Sequence, residues 1–222
     1  MTGHNFNIRG AELIALASGA LWWPAHEILT VSDLHLGKSE RAARRGGPML
    51  PPCEVRDTLL RLENDISHTA ARTIICLGDS FDDLHAAQSL SEDEAMWITR
   101  LQAGRKWIWI EGNHDPGPVQ FGGAHLRHYA ELPLVFRHMA APAASGEISG
   151  HYHPKPSVHA RGRTITRPCF IYDQARVILP TYGTFSGGLK CTDAILQALF
   201  GPGARVVMTG RRPQAFPMPR VG

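Results

Sequence analysis

The chain has 222 residues and a mass of 24.4 kDa, with 43% hydrophobic residues, 19% charged residues and a net charge of +3 when its histidines are neutral. This composition excludes the low-hydrophobicity, high-charge chains that stay disordered, and no segment reaches the ~18 continuous apolar residues of a membrane span. The expectation is one domain over residues 1–222, placed in the cytoplasm because no basic stretch leads into an apolar run at the N-terminus.

Taken in chain order, Trp22 and Trp23 precede Pro24 in a short strand and read as core more readily than as stacking platforms for bases. Glu27 to Ser32 (EILTVS) is a short apolar run, as in a buried strand whose C-terminal edge carries Asp33. Lys38, Arg41, Arg44 and Arg45 follow closely, either as positive charge beside a site or as a solvated helix face. Helices are expected over Glu54 to His68, where Leu59, Leu62 and Ile66 share one face, and over Glu92 to Ala103. Between and after them, Thr73 to Leu77 (TIICL) and Lys106 to Ile110 (KWIWI) are strands that lead into Gly78-Asp79 and Glu111-Gly112-Asn113. Alternation of strand and helix implies parallel pairing with right-handed crossovers.

From Leu132 onward the pattern changes to short strands (LPLVF, EISG, RTITRPCFIY, ARVILP), a helix near Thr192 to Leu199 and a last strand, RVVMTG. Pro and Gly near 116–123, 141–146 and 200–203 mark loops. The fold class is therefore α/β, two face-to-face mixed β-sheets flanked by helices, with strand ends meeting along one edge. Cys53, Cys76, Cys169 and Cys191 are far apart and form no C-x-x-C pair, so they read as reduced and mostly structural.

The histidines, twelve in all, point to the chemistry because several stand in short strings just past strands. Asp33-Leu34-His35 puts a carboxylate and an imidazole on one side of an extended backbone, within reach of one metal. Gly78-Asp79-Ser80-Phe81-Asp82-Asp83 places a carboxylate able to bridge two cations at a strand edge, although Asp82 and Asp83 also suit a helix N-terminus. Gly112-Asn113-His114-Asp115 offers a neutral oxygen ligand and an imidazole that can carry a proton, or only a turn before Pro116. His138 follows a strand, and Gly150-His151-Tyr152-His153 presents two imidazoles two residues apart.

The ordered set D-x-H, G-D-x-x-D, G-N-H-D, H and G-H-x-H resembles the signature of the calcineurin-like metallophosphoesterases. The resemblance implies two divalent metal ions, with Asp33, His35 and His153 on one, Asn113, His138 and His151 on the other and Asp79 bridging. Two cations about 3.5–4 Å apart can clamp the attacking and leaving oxygens of an in-line displacement at phosphorus. His114 is then expected to protonate the leaving oxygen, with Asp82 fixing its orientation. Mixed nitrogen and oxygen ligands suit Mn²⁺, the preferred ion, as well as Fe or Zn²⁺, and argue against Ca²⁺.

Protein phosphatases of this superfamily carry an arginine where this chain has Asp83, which favours a diester over a dianionic monoester. More narrowly, the chain is similar to the ligase-associated DNA damage response endonucleases over Ser32 to Lys38, the Arg-rich turn to Gly47, Leu50-Pro51-Pro52 and the stretch Leu179 to Leu189 (LPTYGTFSGGL). That similarity implies cleavage of DNA, single-stranded DNA in particular, in repair, and association with a DNA helicase and an ATP-dependent DNA ligase. Lys38, Arg41, Arg44 and Arg45 would meet the phosphate backbone. The alternatives are a small-nucleotide phosphodiesterase with a closed pocket and a non-catalytic docking subunit that keeps the metal fold.

Overall fold

The computed structural model describes residues 2–51, 53–117, 119–160 and 162–220. Pro52 of the Leu50-Pro51-Pro52 stretch and Pro118 of the loop at 116–123 lie outside the described residues. The strands are β1 (Gly3–Ile8), β2 (Ala11–Leu16), β3 (Leu21–Trp23), β4 (Ile28–Val31), β5 (Thr73–Cys76), β6 (Lys106–Ile110), β7 (Ala124–Leu126), β8 (His128–Glu131), β9 (Leu134–Arg137), β10 (Glu147–Ser149), β11 (Ser157–Ala160), β12 (Arg163–Thr166), β13 (Cys169–Tyr172), β14 (Arg176–Ile178), β15 (Arg205–Met208) and β16 (Ala215–Pro217). The helices are α1 (Lys38–Arg44), α2 (Glu54–Thr69), α3 (Leu84–Gln88), α4 (Glu92–Gln102) and α5 (Ala194–Leu199).

Two seven-stranded sheets result, and both are mixed. The first runs β1-β2-β3-β4-β5-β6-β7; its N-terminal strands pair antiparallel and β4 to β7 pair parallel. The second runs β16-β15-β13-β14-β10-β9-β8, with β10 parallel to β9 and β14 and the other pairs antiparallel. No helix among the described residues is long and apolar enough to cross a membrane.

The apolar runs are continuous because β4, β5 and β6 are buried on both faces. Alternate residues separate by face: Leu29, Val31, Ile74, Cys76, Trp107 and Trp109 meet Leu59, Leu62 and Ile66 of α2 and Ile98 and Leu101 of α4. The residues between them, Ile28, Ile75, Ile108 and Ile110, face the second sheet and pack on Phe136, Ile148, Phe170 and Val177. A third layer of Ile171, Ile178 and Met218 lies under Leu196 of α5. The interior is thus three apolar layers. Trp23 is buried between the sheets and Trp22 packs half-buried on the helical side, so both serve the core.

The stretch Leu179 to Leu189 laces the two sheets together behind Asp33. Leu179 N donates to Ser149 O at 2.8 Å, Tyr182 N to Ser32 O at 2.8 Å and Gly183 N to Asp33 O at 3.0 Å, while the Thr181 hydroxyl donates to Asp33 O at 3.0 Å. Gly183 must lack a Cβ, since one there would run into the Leu34 carbonyl. The Tyr182 ring is fully buried, its hydroxyl donates to Asp65 Oδ2 of α2 at 2.8 Å, and the Arg61 guanidinium lies 4.8 Å from the ring centre.

Tyr182→Phe leaves the Asp65 carboxylate short of a donor, at a cost of ~1–3 kcal/mol. Burial holds the Asp65 carboxyl above its ordinary value despite the bonds from Ser18 and Tyr182. The folded state therefore holds this proton more tightly than the unfolded chain, and its contribution to stability falls as pH rises above the unfolded value of about 3.9. Loss of a donor to the charged form deepens that fall. Urea unfolding of metal-free protein should show a larger deficit for Tyr182→Phe at pH 7 than at pH 4.

Candidate metal centre

The ends of β4, β5, β6, β9 and β10 lie side by side, and each delivers the next few residues to one place. They do not do so as extended strands. Asp33, His35, Asp79, His151 and His153 all have positive φ, between 46° and 69°, and make up five of the nine non-glycine residues in that region among the described residues. The D-x-H and H-x-H pairs are therefore not same-face neighbours on a strand, as the alternation argument supposed. Left-handed turns aim them, at roughly 1–3 kcal/mol of strain per residue.

The turns are held by cross-connections between the loops. His35 N donates to Asp79 O at 2.9 Å and Leu36 N to Ser80 O at 2.9 Å, so the two loops continue the parallel pairing of β4 and β5. His151 N donates to Asp33 Oδ2 at 2.9 Å and His114 N to Asp79 Oδ1 at 2.8 Å. Gly150 permits the first approach, since a Cβ there would meet the Ser32 hydroxyl and stand 2.6 Å from Asp33 Oδ2.

Asp115 carries much of this scaffold and was read in the sequence only as part of a turn. Its buried carboxylate accepts the main-chain N–H of Asp79 at 2.9 Å, Ser80 at 2.8 Å, Phe81 at 3.2 Å and Gly112 at 3.2 Å. Burial and the neighbouring Asp79 charge nonetheless raise its pKa to about 6. The signal was the aspartate directly after Gly-Asn-His, and nothing in the string itself distinguishes a turn former from a collector of amides.

Three groups of donor atoms converge. Single donor atoms of Asp33, His35 and His153 lie within 4.8 Å of one another, as do those of Asp79, His138 and His151, and a third set, His35, Asp82 and His114, adjoins the first through His35. His153 Nε2 is 3.2 Å from Asp33 Oδ1, and His138 Nε2 is 3.4 Å from Asp79 Oδ2, 2.9 Å from Asn113 Oδ1 and 3.1 Å from His151 Nδ1. His138 Nδ1 lies 2.7 Å from the Leu77 carbonyl, an oxygen that can only accept, so that nitrogen holds the proton and Nε2 is left as a lone pair. Asp79 Oδ2, Asn113 Oδ1 and His151 Nδ1 all face it. Asp33 Oδ1 and His153 Nε2 are likewise buried without a hydrogen-bond partner.

These residues fit a cation. Burial disfavours a charged His138, but Asp79 and Asp33 overcome it and raise its pKa to about 9. Burial pushes Asp79 up as well, and its bond to His138 outweighs that and lowers it to about 2. Burial and the neighbouring His138 hold His151 below its ordinary value.

Around the ligands, the structure departs from the expected role of Asp82. Its carboxylate lies within 4.8 Å of a His114 ring nitrogen, and its short contacts go elsewhere. It lies 3.0 Å from His35 Nδ1, 2.8 Å from Arg41 Nη1 and 3.9 Å from Lys38 Nζ, and although burial raises its pKa these partners hold it well below the ordinary range. The His114 contact is made by the Asp82 main-chain carbonyl, 2.8 Å from His114 Nδ1, which leaves Nε2 as the free nitrogen. Asp82 thus orients His35 by its side chain and His114 by its backbone.

The basic cluster is also less free than expected. Arg41 spans Asp82 and Asp83, and Arg44 reaches Asp83 Oδ2 at 2.8 Å and Glu40 at 3.0 Å. Asp83 caps α3 through Ala86 N. Lys38 borders the site, and Arg45 is exposed at the end of α1.

No curated protein matches the chain. Among solved structures, the crystal structure of a nuclease from Pseudomonas putida, MPE, is similar, with a TM-score of 0.75 and 28% sequence identity over 96% of this chain and 100% of that one. A family model of calcineurin-like phosphoesterases matches residues 26–178, a span that holds all seven candidate ligands, and the chain accordingly belongs to that family of metal-dependent phosphoesterases.

Proposed function

We propose that the chain is a dinuclear-metal phosphodiesterase that cuts DNA, single-stranded DNA in particular, in DNA repair. The observation that carries this reading is the pair of ligand groups, Asp33, His35 and His153 beside Asp79, His138 and His151, with Asn113 against the second. The similarity to a nuclease over nearly the whole chain supports nucleic acid as the substrate. Mn²⁺ is the proposed ion, and a bound pair of such cations would activate water and neutralise charge at phosphorus. Association with a helicase and a ligase, and a cytoplasmic location, belong to the same proposal.

The chain's own residues do the following. Asp79 presents Oδ2 toward the second ligand group while its Oδ1 is fixed by His114 N–H, and it would be the carboxylate shared by the two cations. The hydrolysis adds a water oxygen to phosphorus and breaks the bond to the leaving oxygen. His114, its Nδ1 proton held by the Asp82 carbonyl, offers Nε2–H to that oxygen when the imidazole is protonated. Beside Asn113 and His138 the described residues form an open groove on whose wall Arg127 stands 87% exposed, which supports a strand over a small nucleotide.

Stripped of metal and restored with Mn²⁺, the protein should cleave a generic phosphodiester and labelled single-stranded DNA faster than a phosphomonoester, and Asp79→Ala should abolish all of it. Diester cleavage with intact DNA would move the substrate to a small nucleotide. His114→Ala should lower kcat by about 10²–10⁴ on DNA, and by much less on a nitrophenyl diester, whose leaving group needs no proton. Asp82→Ala, by contrast, should weaken metal binding about 10–100-fold in a Mn²⁺ titration through loss of the His35 contact, leaving the leaving-group dependence as in the parent.

A further inference from the structure

The ligands are flanked by two banks of positive charge, and they differ in kind. On the α1 bank the guanidiniums of Arg41 and Arg44 are tied to Asp82, Asp83 and Glu40. On the second bank lies a groove of about 440 Å³ lined by Asn113 and His138 together with Glu111, Arg127, His128, Arg137 and Met139.

Topology puts the groove at the seam of the sandwich. β7 ends the first sheet at Leu126, β8 opens the edge of the second at His128, and Arg127 alone joins them. His128 pairs directly with Arg137 across β8 and β9, so the two side chains share a face. Arg137 in turn immediately precedes His138, which ties the groove to the ligand set by one peptide bond.

Its charge is available. Arg137 lies 3.4 Å from the buried Glu147, but Glu147 also faces Arg176 at 3.6 Å, so one carboxylate serves two guanidiniums and a positive charge is left over. Arg127 is 87% exposed and 3.5 Å from Glu111, an exposed pair of the kind that contributes little and is easily exchanged for a phosphate. Met139, 51% exposed, and the exposed His128 give this cationic wall an apolar edge and a flat ring.

We propose that the groove seats the nucleotide next to the cleaved linkage of a polynucleotide, its phosphate held by Arg127 and Arg137 and its sugar or base laid against His128 and Met139. The inference rests on the phosphodiesterase reading of the adjoining site and adds to it a substrate with more than one phosphate. A minimal diester has no group to place there. A strand threading past the ligands does, and arginine suits the task because its planar fork matches two phosphate oxygens.

The test is fluorescence anisotropy with a labelled single-stranded oligonucleotide and Mn²⁺, in the slow-cutting His114→Ala protein, over a series of salt concentrations. Arg127→Ala, and Arg127→Ala with Arg137→Gln, should weaken binding about tenfold or more and flatten the slope of log affinity against log salt by roughly 0.7 for each phosphate no longer neutralised. Arg72→Ala is the control, a side chain 79% exposed and paired with Glu27 just before β5, at the strand end away from the ligands. It removes the same charge and should change neither quantity. Thermal unfolding checks both groove variants, and if the double variant is unfolded Arg127→Ala decides alone.

Parent-like affinity and slope in the groove variants overturn the proposal while leaving the nuclease reading intact. Failure of the parent to bind any oligonucleotide, with a small diester still cleaved, overturns the groove and the DNA substrate together.

Discussion

Asp33 Oδ1 and His153 Nε2 stand 3.2 Å apart inside the protein, and a few ångströms away the lone pair of His138 Nε2 faces Asp79, Asn113 and His151. Such a gathering of acceptors in a desolvated place is unfavourable unless positive charge sits among them, since buried carboxylates lose hydration that only a cation or strong donors replace. The rest of the molecule is organised so that these groups cannot relax away from one another.

That organisation is made of main-chain contacts more than of side-chain packing. Five ligand residues lie in the left-handed region, which a free chain would leave. They are kept there by the interlocked loops after β4 and β5, by the amides that Asp115 collects, and by the strap Leu179 to Leu189 drawn behind Asp33. The two apolar layers on either side of the first sheet fix the strand ends from which the loops depart. Rigidity of the scaffold and strain of the site are in this sense one arrangement.

Around the ligands, charge is divided by how firmly it is held. The α1 arginines serve the site indirectly: Arg41 holds the Asp82 carboxylate that meets His35, and Arg44 steadies Asp83 at the start of α3. The seam bank is set by topology, at the crossing from one sheet to the other, and keeps the Arg127 guanidinium in solvent and open to exchange. A basic string in the sequence and a free basic surface are different things, because carboxylates distant in the chain settle the matter.

The α/β class, the parallel strands β4 to β6, the helix faces of Leu59, Leu62 and Ile66 and the ligand strings were legible in the sequence, because periodic burial and short spacings between chelating residues are local properties. The first hairpin was not. Its turn is Arg9-Gly10, with φ of 53° and 91°, in place of the Asn-Gly pair that announces such a turn. Nor was the role of Asp115 or the division of labour within Asp82, side chain to His35 and carbonyl to His114, because both depend on which loops meet. By itself the sequence determined which residue types can hold metal and in what order the strands deliver them. Only the tertiary structure decided which donor atoms converge, which arginines are tied to neighbouring carboxylates and where an open cationic groove remains, since those follow from contacts between segments that the chain keeps far apart.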